Sequence, residues 1–154
     1  KTKKFQNKIP NLLLLFILNL IVLQIVLGAF LSGLDGGLIY NSWPDMNGSF
    51  FPNYIGYSDL VSNQLFNNPS IIQFLHRLIA YLLLFFIIIL NLIYFKKKYD
   101  FKYVLFFDVA ILIQIFLGIV TLISGVEIRF ASLHQLGSIL VLSSYFLILY
   151  KNSN

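Results

Sequence analysis

Residues 11–34 read NLLLLFILNLIVLQIVLGAFLSGL, twenty-four positions without a charged side chain. At 1.5 Å of rise per residue, a helix of that length reaches ~36 Å, and the hydrocarbon layer of a bilayer is ~30 Å thick. Three more runs meet the same test. One extends from Ile71 to Phe95 and carries His76 and Arg77 near its start. The next, Tyr103 to Val126, holds a single acid, Asp108. The last, about Phe130 to Tyr150, holds His134. The predicted fold is an all-α membrane protein, a bundle of four transmembrane helices in which residues 1–154 form one domain with an outer loop over residues 35–70.

Composition agrees. The 154 residues are 58% hydrophobic and 11% charged, whereas a soluble domain is about 45–50% apolar and about 25% charged. These values exclude a soluble enzyme, a nucleic-acid binder and a disordered chain. The net charge of +5 belongs to lysines that flank the spans, where membrane topology accounts for them. With no Cys in the chain, disulfides, iron–sulfur clusters and thiolate metal sites are excluded.

Orientation follows from where the bases fall. Lys1, Lys3, Lys4 and Lys8 precede the first span; Lys96, Lys97, Lys98 and Lys102 join the second to the third; Lys151 follows the fourth. The loop from Asp35 to Ser70 has no Lys or Arg. The positive-inside rule therefore predicts both termini in the cytoplasm or mitochondrial matrix, with the long first loop outside. That loop is rich in turn pairs, among them Gly36-Gly37, Trp43-Pro44, Asn47-Gly48 and Asn68-Pro69. Its aromatic residues, Tyr40, Trp43, Phe50, Phe51, Tyr54, Tyr57 and Phe66, read either as an interfacial belt or as a lid over something bound at the outer face.

The spans contain an internal repeat. Leu23-Gln24-Ile25-Val26-Leu27-Gly28 matches Ile113-Gln114-Ile115-Phe116-Leu117-Gly118, and Leu75-His76-Arg77-Leu78 matches Leu133-His134-Gln135-Leu136. The first match recurs after 90 residues and the second after 58; the longer first loop makes up the difference. Each helix pair reads as a copy of the other in the same orientation, about an axis along the membrane normal. Gln24 and Gln114, near mid-span, read as interhelical hydrogen-bonding groups worth roughly 0.6–2 kcal/mol each, or as ligand contacts. Gly28 and Gly118 allow close backbone approach or make room for a flat ligand. Asp108, near the inner end of its span, reads as an interfacial or interhelical partner.

His76 and His134 are the chain's two histidines. Each is expected about five residues inside the outer end of its helix, ~7–8 Å deep. One such histidine would read as a neutral core residue hydrogen-bonded across the bundle. Two, at matched depth in repeat-related positions, read as a shared metal centre. Without Cys or a nearby carboxylate, two imidazoles leave zinc or copper short of ligands. Haem brings four nitrogens of its own, and two axial histidines complete its iron. The small residues one turn on, Ala80 and Ser138, would admit the edge of a macrocycle. Arg77 and Arg129, the two arginines, lie at the outer interface. Either can fork onto a haem propionate. Arg129 can equally be a snorkelling anchor, and Arg77 can pair with Asp35 or Glu127.

The stretch from Gly28 to Met46, GAFLSGLDGGLIYNSWPDM, resembles haem A synthases of the alphaproteobacterial and mitochondrial type. So do Leu65 to Pro69, Gln73 to Tyr81 and Leu133 to Gln135. The resemblance runs in order through nearly the whole chain. It implies an oxidoreductase that converts haem O to haem A for cytochrome c oxidase by oxidising a ring methyl to a formyl group. Members of that family usually have eight spans in two similar halves, each with a histidine pair. This chain resembles the C-terminal half, whose histidines match His76 and His134 and ligate a haem b that handles electrons. The substrate haem and a loop glutamate implicated in catalysis belong to the N-terminal half, so no catalytic residue is assigned here.

From the resemblance, and from a chain that begins at Lys1, two expectations follow: a fragment, or a four-helix member that assembles as an oligomer. The implied partners are haem O, the lipid bilayer, the N-terminal half or further copies, and haem O synthase or cytochrome oxidase assembly factors. The implied location is a bacterial inner membrane or, alternatively, the mitochondrial inner membrane. Two other classes stay open: a membrane b-type cytochrome that only carries electrons, and a cofactor-free assembly subunit. The first would normally need a second histidine pair, and an absorption spectrum separates the second.

Overall fold

The computed structural model describes residues 9–52, 55 and 56, 65–97, 99 and 101–153. Lys1, Lys3, Lys4, Lys8, Lys98, Tyr54 and Tyr57 lie outside the described residues. Four helices form: α1 (Asn11–Gly33), α2 (Pro69–Lys97), α3 (Lys102–Ile123) and α4 (Ile128–Ser153). All four are long and apolar enough to cross a membrane, and no strand occurs among the described residues. This is the expected all-α bundle of a multi-pass membrane protein.

The helix ends differ from expectation for local reasons. α2 starts at Pro69, two residues before the predicted Ile71. The Asn68 carboxamide accepts hydrogen bonds from the amides of Ser70 (3.0 Å) and Ile71 (3.3 Å), and Pro69 occupies the first helical position, where its missing N–H costs nothing. What reads as a turn pair is a helix cap. α3 stops at Ile123 rather than Val126. There the Gly125 amide donates to Leu122 O and the Val126 amide to Thr121 O. With Gly125 at φ 68°, these bonds make a Schellman stop. α4 runs on to Ser153, past the predicted Tyr150.

α1 lies chiefly along α2, and α3 chiefly along α4, so the repeated sequence units are also packing units. The two loops joining each pair share one end of the bundle: the Asn41 side chain donates to Leu122 O (3.0 Å), and a Cβ on Gly37 would stand 2.8 Å from Val126. Ile9 and the end of α4 meet at the opposite end, where the Asn152 side chain exchanges hydrogen bonds with the backbone of Ile9.

The apolar core sits toward that terminal end. Leu14, Ile17, Leu90, Val104, Phe107, Tyr145 and Ile148 are buried there. Tyr145 donates its hydroxyl to Leu14 O (2.7 Å) and packs its ring 5.1 Å from Phe107. Asn91 on α2 donates to Asp108 on α3 (3.0 Å), which makes Asp108 the interhelical partner the sequence suggests. Outward-facing Leu12 and Phe95 are each 81% exposed, as suits helices whose outer surface meets lipid.

Candidate functional site

Packing changes toward the loop end. α3 buries Val104, Phe107, Ala110 and Ile111, and α4 buries Val141, Ser144, Tyr145 and Ile148, but neither fully buries a residue between Leu112 and Leu140. The polar residues of the repeat occupy this less tightly closed half.

His76 stands seven residues beyond the start of α2, and His134 six beyond the start of α4. Both are therefore ~9–11 Å down their helices, deeper than expected because both helices begin earlier. The match in depth is kept. Each ring lies against a glycine of the paired helix. A Cβ on Gly28 would stand 3.2 Å from Cε1 of His76, and one on Gly118 would stand 2.9 Å from Cε1 of His134. The repeated glycines thus act as seats for the imidazoles.

The glutamines of the repeat reach the same rings in two ways. His134 Nδ1 donates to the Gln114 carbonyl (3.1 Å), and the Gln114 side chain donates to the His134 carbonyl (2.8 Å). The Gln114 carbonyl points along its helix toward residue 118, where the absence of a Cβ lets the ring in. A proton fixed on Nδ1 leaves Nε2 with its lone pair free, the state a metal ligand needs. In the other pair, the Gln24 side chain donates to Nε2 of His76 (3.0 Å). His76 Nδ1 is buried without a hydrogen-bond partner.

The loop over residues 36–52 closes this end of the bundle. Arg77 donates to the carbonyls of Asp45 (2.6 Å) and Tyr40 (3.1 Å), and Gln73 donates to Tyr40 O (2.9 Å). Ser42 and the Gly48 amide hold the Asp45 carboxyl below the usual carboxylate range by hydrogen bonding. Tyr40 and Met46 are buried, while Phe50 stacks on Tyr81 and meets Phe74 edge-on. Trp43, Phe50 and Phe66 remain exposed. The loop is therefore a covering strap with an aromatic outer surface.

Arg77 takes loop carbonyls rather than Asp35 or Glu127. Glu127 pairs with Arg129, whose side chain is 83% exposed at the short α3–α4 turn. The sequence reading has Tyr40 only as a loop aromatic and Gln73 only as part of the resemblance; their hydroxyl and Oε1 are buried without partners. It missed Gly137, whose missing Cβ makes room for Oε1 of Gln114. Gln73, a polar residue one turn before His76 in an apolar run, was the available signal. No group of three or more His, Cys, Asp or Glu side chains that could hold a metal ion occurs among the described residues.

Two helix pairs in one membrane bundle, each seating a histidine of one helix against a glycine of the other, define a polytopic membrane protein built on an internal repeat. The sequence pattern of the cytochrome oxidase assembly protein family matches residues 1–146, and the chain belongs to that family. It is 88% identical over 154 residues to a protein of Pelagibacter ubique (strain HTCC1062) named heme A synthase, covering 100% of this chain and 46% of that protein. A heme A synthase of Bartonella quintana (strain Toulouse) is 40% identical over 120 residues, 75% of this chain and 33% of its own length. One from Rickettsia bellii (strain OSU 85-389) is 39% identical over 138 residues, 88% of this chain and 41% of its own length. The chain thus spans less than half the length of these relatives. No solved structure matches.

Proposed function

We propose that residues 1–154 form the haem-binding C-terminal half of a haem A synthase, in which His76 and His134 would hold one haem b. The observation that carries this reading is the pair of matched imidazole seats, Gly28 under His76 and Gly118 under His134. The donor set fits the group: two imidazoles and no thiolate, with the Gln114 carbonyl keeping His134 Nε2 free to ligate. When bound, haem b supplies one-electron transfer for the oxidation of haem O to haem A, with the substrate held by the other half or by another copy. Haem O synthase and cytochrome oxidase assembly factors are proposed partners.

The chain's own residues hold and shield. His76 and His134 bind, the glycines orient the rings, and the strap over residues 36–52 keeps water from the loop end. Arg77 is already tied to two carbonyls, and its remaining N–H donors are available to a propionate. Arg129 is the second, more exposed candidate. Replacing either by Ala should weaken haem retention more than replacing it by Lys, since Lys keeps the charge and loses only the fork. Haem content measured in the four variants decides this, and equal, full content would make both arginines interface anchors.

The proposed membrane is the bacterial inner membrane, with the termini in the cytoplasm. A tag in the Asn47–Gly48 turn, an exposed positive-φ turn, should be accessible from outside, while tags at the termini should be shielded. An externally accessible C-terminus would reverse the orientation. The function itself is tested by expressing the chain together with the remainder of such a synthase in cells that accumulate haem O. Haem A should form only with both parts present, and its absence from that pairing would refute the assignment.

A further inference from the structure

The repeat is symmetric in its glycines and asymmetric in its glutamines. His134 Nε2 is left free, because the Gln114 carboxamide turns to the His134 backbone carbonyl and rests against Gly137. His76 Nε2, the equivalent nitrogen, accepts a 3.0 Å hydrogen bond from the Gln24 carboxamide. That nitrogen cannot hold the Gln24 proton and a metal at once. We propose that Gln24 is a positioning residue that holds His76 whenever this nitrogen is not ligated, making the His76 side of the site the exchangeable one and the His134 side the fixed one.

The inference rests on haem ligation by the two histidines and adds which bond opens. Were His76 to release the group, its Nε2 lone pair would be met by the Gln24 carboxamide, as in the 3.0 Å hydrogen bond seen here, offsetting part of the cost. On the His134 side no side chain among the described residues donates to the ring, and the Gln114 carbonyl keeps the ring aimed as a ligand. A small exogenous ligand such as carbon monoxide should therefore enter on the face that His76 leaves.

The test is carbon monoxide titration of the reduced, haem-loaded chain in nanodiscs, comparing the natural sequence with Gln24→Leu and Gln24→Met. Either change removes the hydrogen bond that stabilises released His76. Carbon monoxide affinity should fall about two- to twelve-fold, the range set by one net hydrogen bond. Gln114→Leu, which removes a side-chain bond to a backbone carbonyl and none to a ring nitrogen, serves as the reference for disturbing a glutamine at this depth. Unchanged or increased affinity in both Gln24 variants would overturn the proposal, as would an equal loss in Gln114→Leu. A failure of haem ligation itself would show earlier and differently, as the lack of a six-coordinate low-spin spectrum before any carbon monoxide is added.

Discussion

Changing His134 to Ala is expected to cost the chain most of its haem, and changing His76 to Ala is expected to leave more haem bound, in a high-spin form. Each substitution removes one axial bond. The two sites are not equivalent, because the His134 ring is fixed through Nδ1 to the Gln114 carbonyl. The His76 ring makes no Nδ1 hydrogen bond as close as that one, and its Nε2 accepts from Gln24. Losing a pre-aimed ligand together with its outer hydrogen bond should cost more than the about 10–100-fold that loss of the outer partner alone costs. Haem-to-protein ratios and reduced spectra of the two purified variants check this. Equal retention with low-spin spectra in both would mean that neither histidine is a ligand.

The second large effect is expected at the glycine seats. A methyl on Gly118 would stand 2.9 Å from Cε1 and 3.4 Å from Nδ1 of His134, so in Gly118→Ala the ring must leave its place and with it the bond to Gln114. At Gly28 the nearest approach is 3.2 Å, which a shift of a few tenths of an ångström relieves. Haem affinity should therefore fall by about 10–100-fold in Gly118→Ala and less in Gly28→Ala. In the absence of packing, Gly to Ala favours a helix interior by about 0.8–1 kcal/mol. The helices themselves should stay intact by circular dichroism while haem is lost. Full haem content in Gly118→Ala, or the larger loss in Gly28→Ala, would show that the seats are incidental.

Much of this arrangement is legible in the sequence, because the features that decide it are long or repeated. Uncharged runs such as residues 11–34 can only be lipid-spanning helices at this composition, and all four are present. The ninety-residue recurrence of Gln and Gly and the fifty-eight-residue recurrence of His locate the polar half of the bundle and match the histidines in depth. Helix ends are less legible: Asn68-Pro69 can open a loop or cap a helix, and only the bonds from the Ser70 and Ile71 amides to the Asn68 side chain make it a cap. Partners that are backbone carbonyls leave no trace in sequence. That is why Arg77 reads as seeking a carboxylate when it holds the carbonyls of Tyr40 and Asp45. The glycines illustrate a third limit. Their recurrence is visible, but that each seats a ring from the neighbouring helix depends on how α1 meets α2 and α3 meets α4.

Joint ligation of one haem by His76 and His134 is the claim from which the rest follows. The most direct measurement is the reduced absorption spectrum and haem stoichiometry of the purified chain beside those of the His76→Ala, His134→Ala double variant. One haem per chain with the sharp bands of low-spin iron is predicted for the natural sequence, and no bound haem for the double variant. A low-spin spectrum that survives unchanged in the double variant would contradict the assignment and return both histidines to neutral, hydrogen-bonded residues of the bundle.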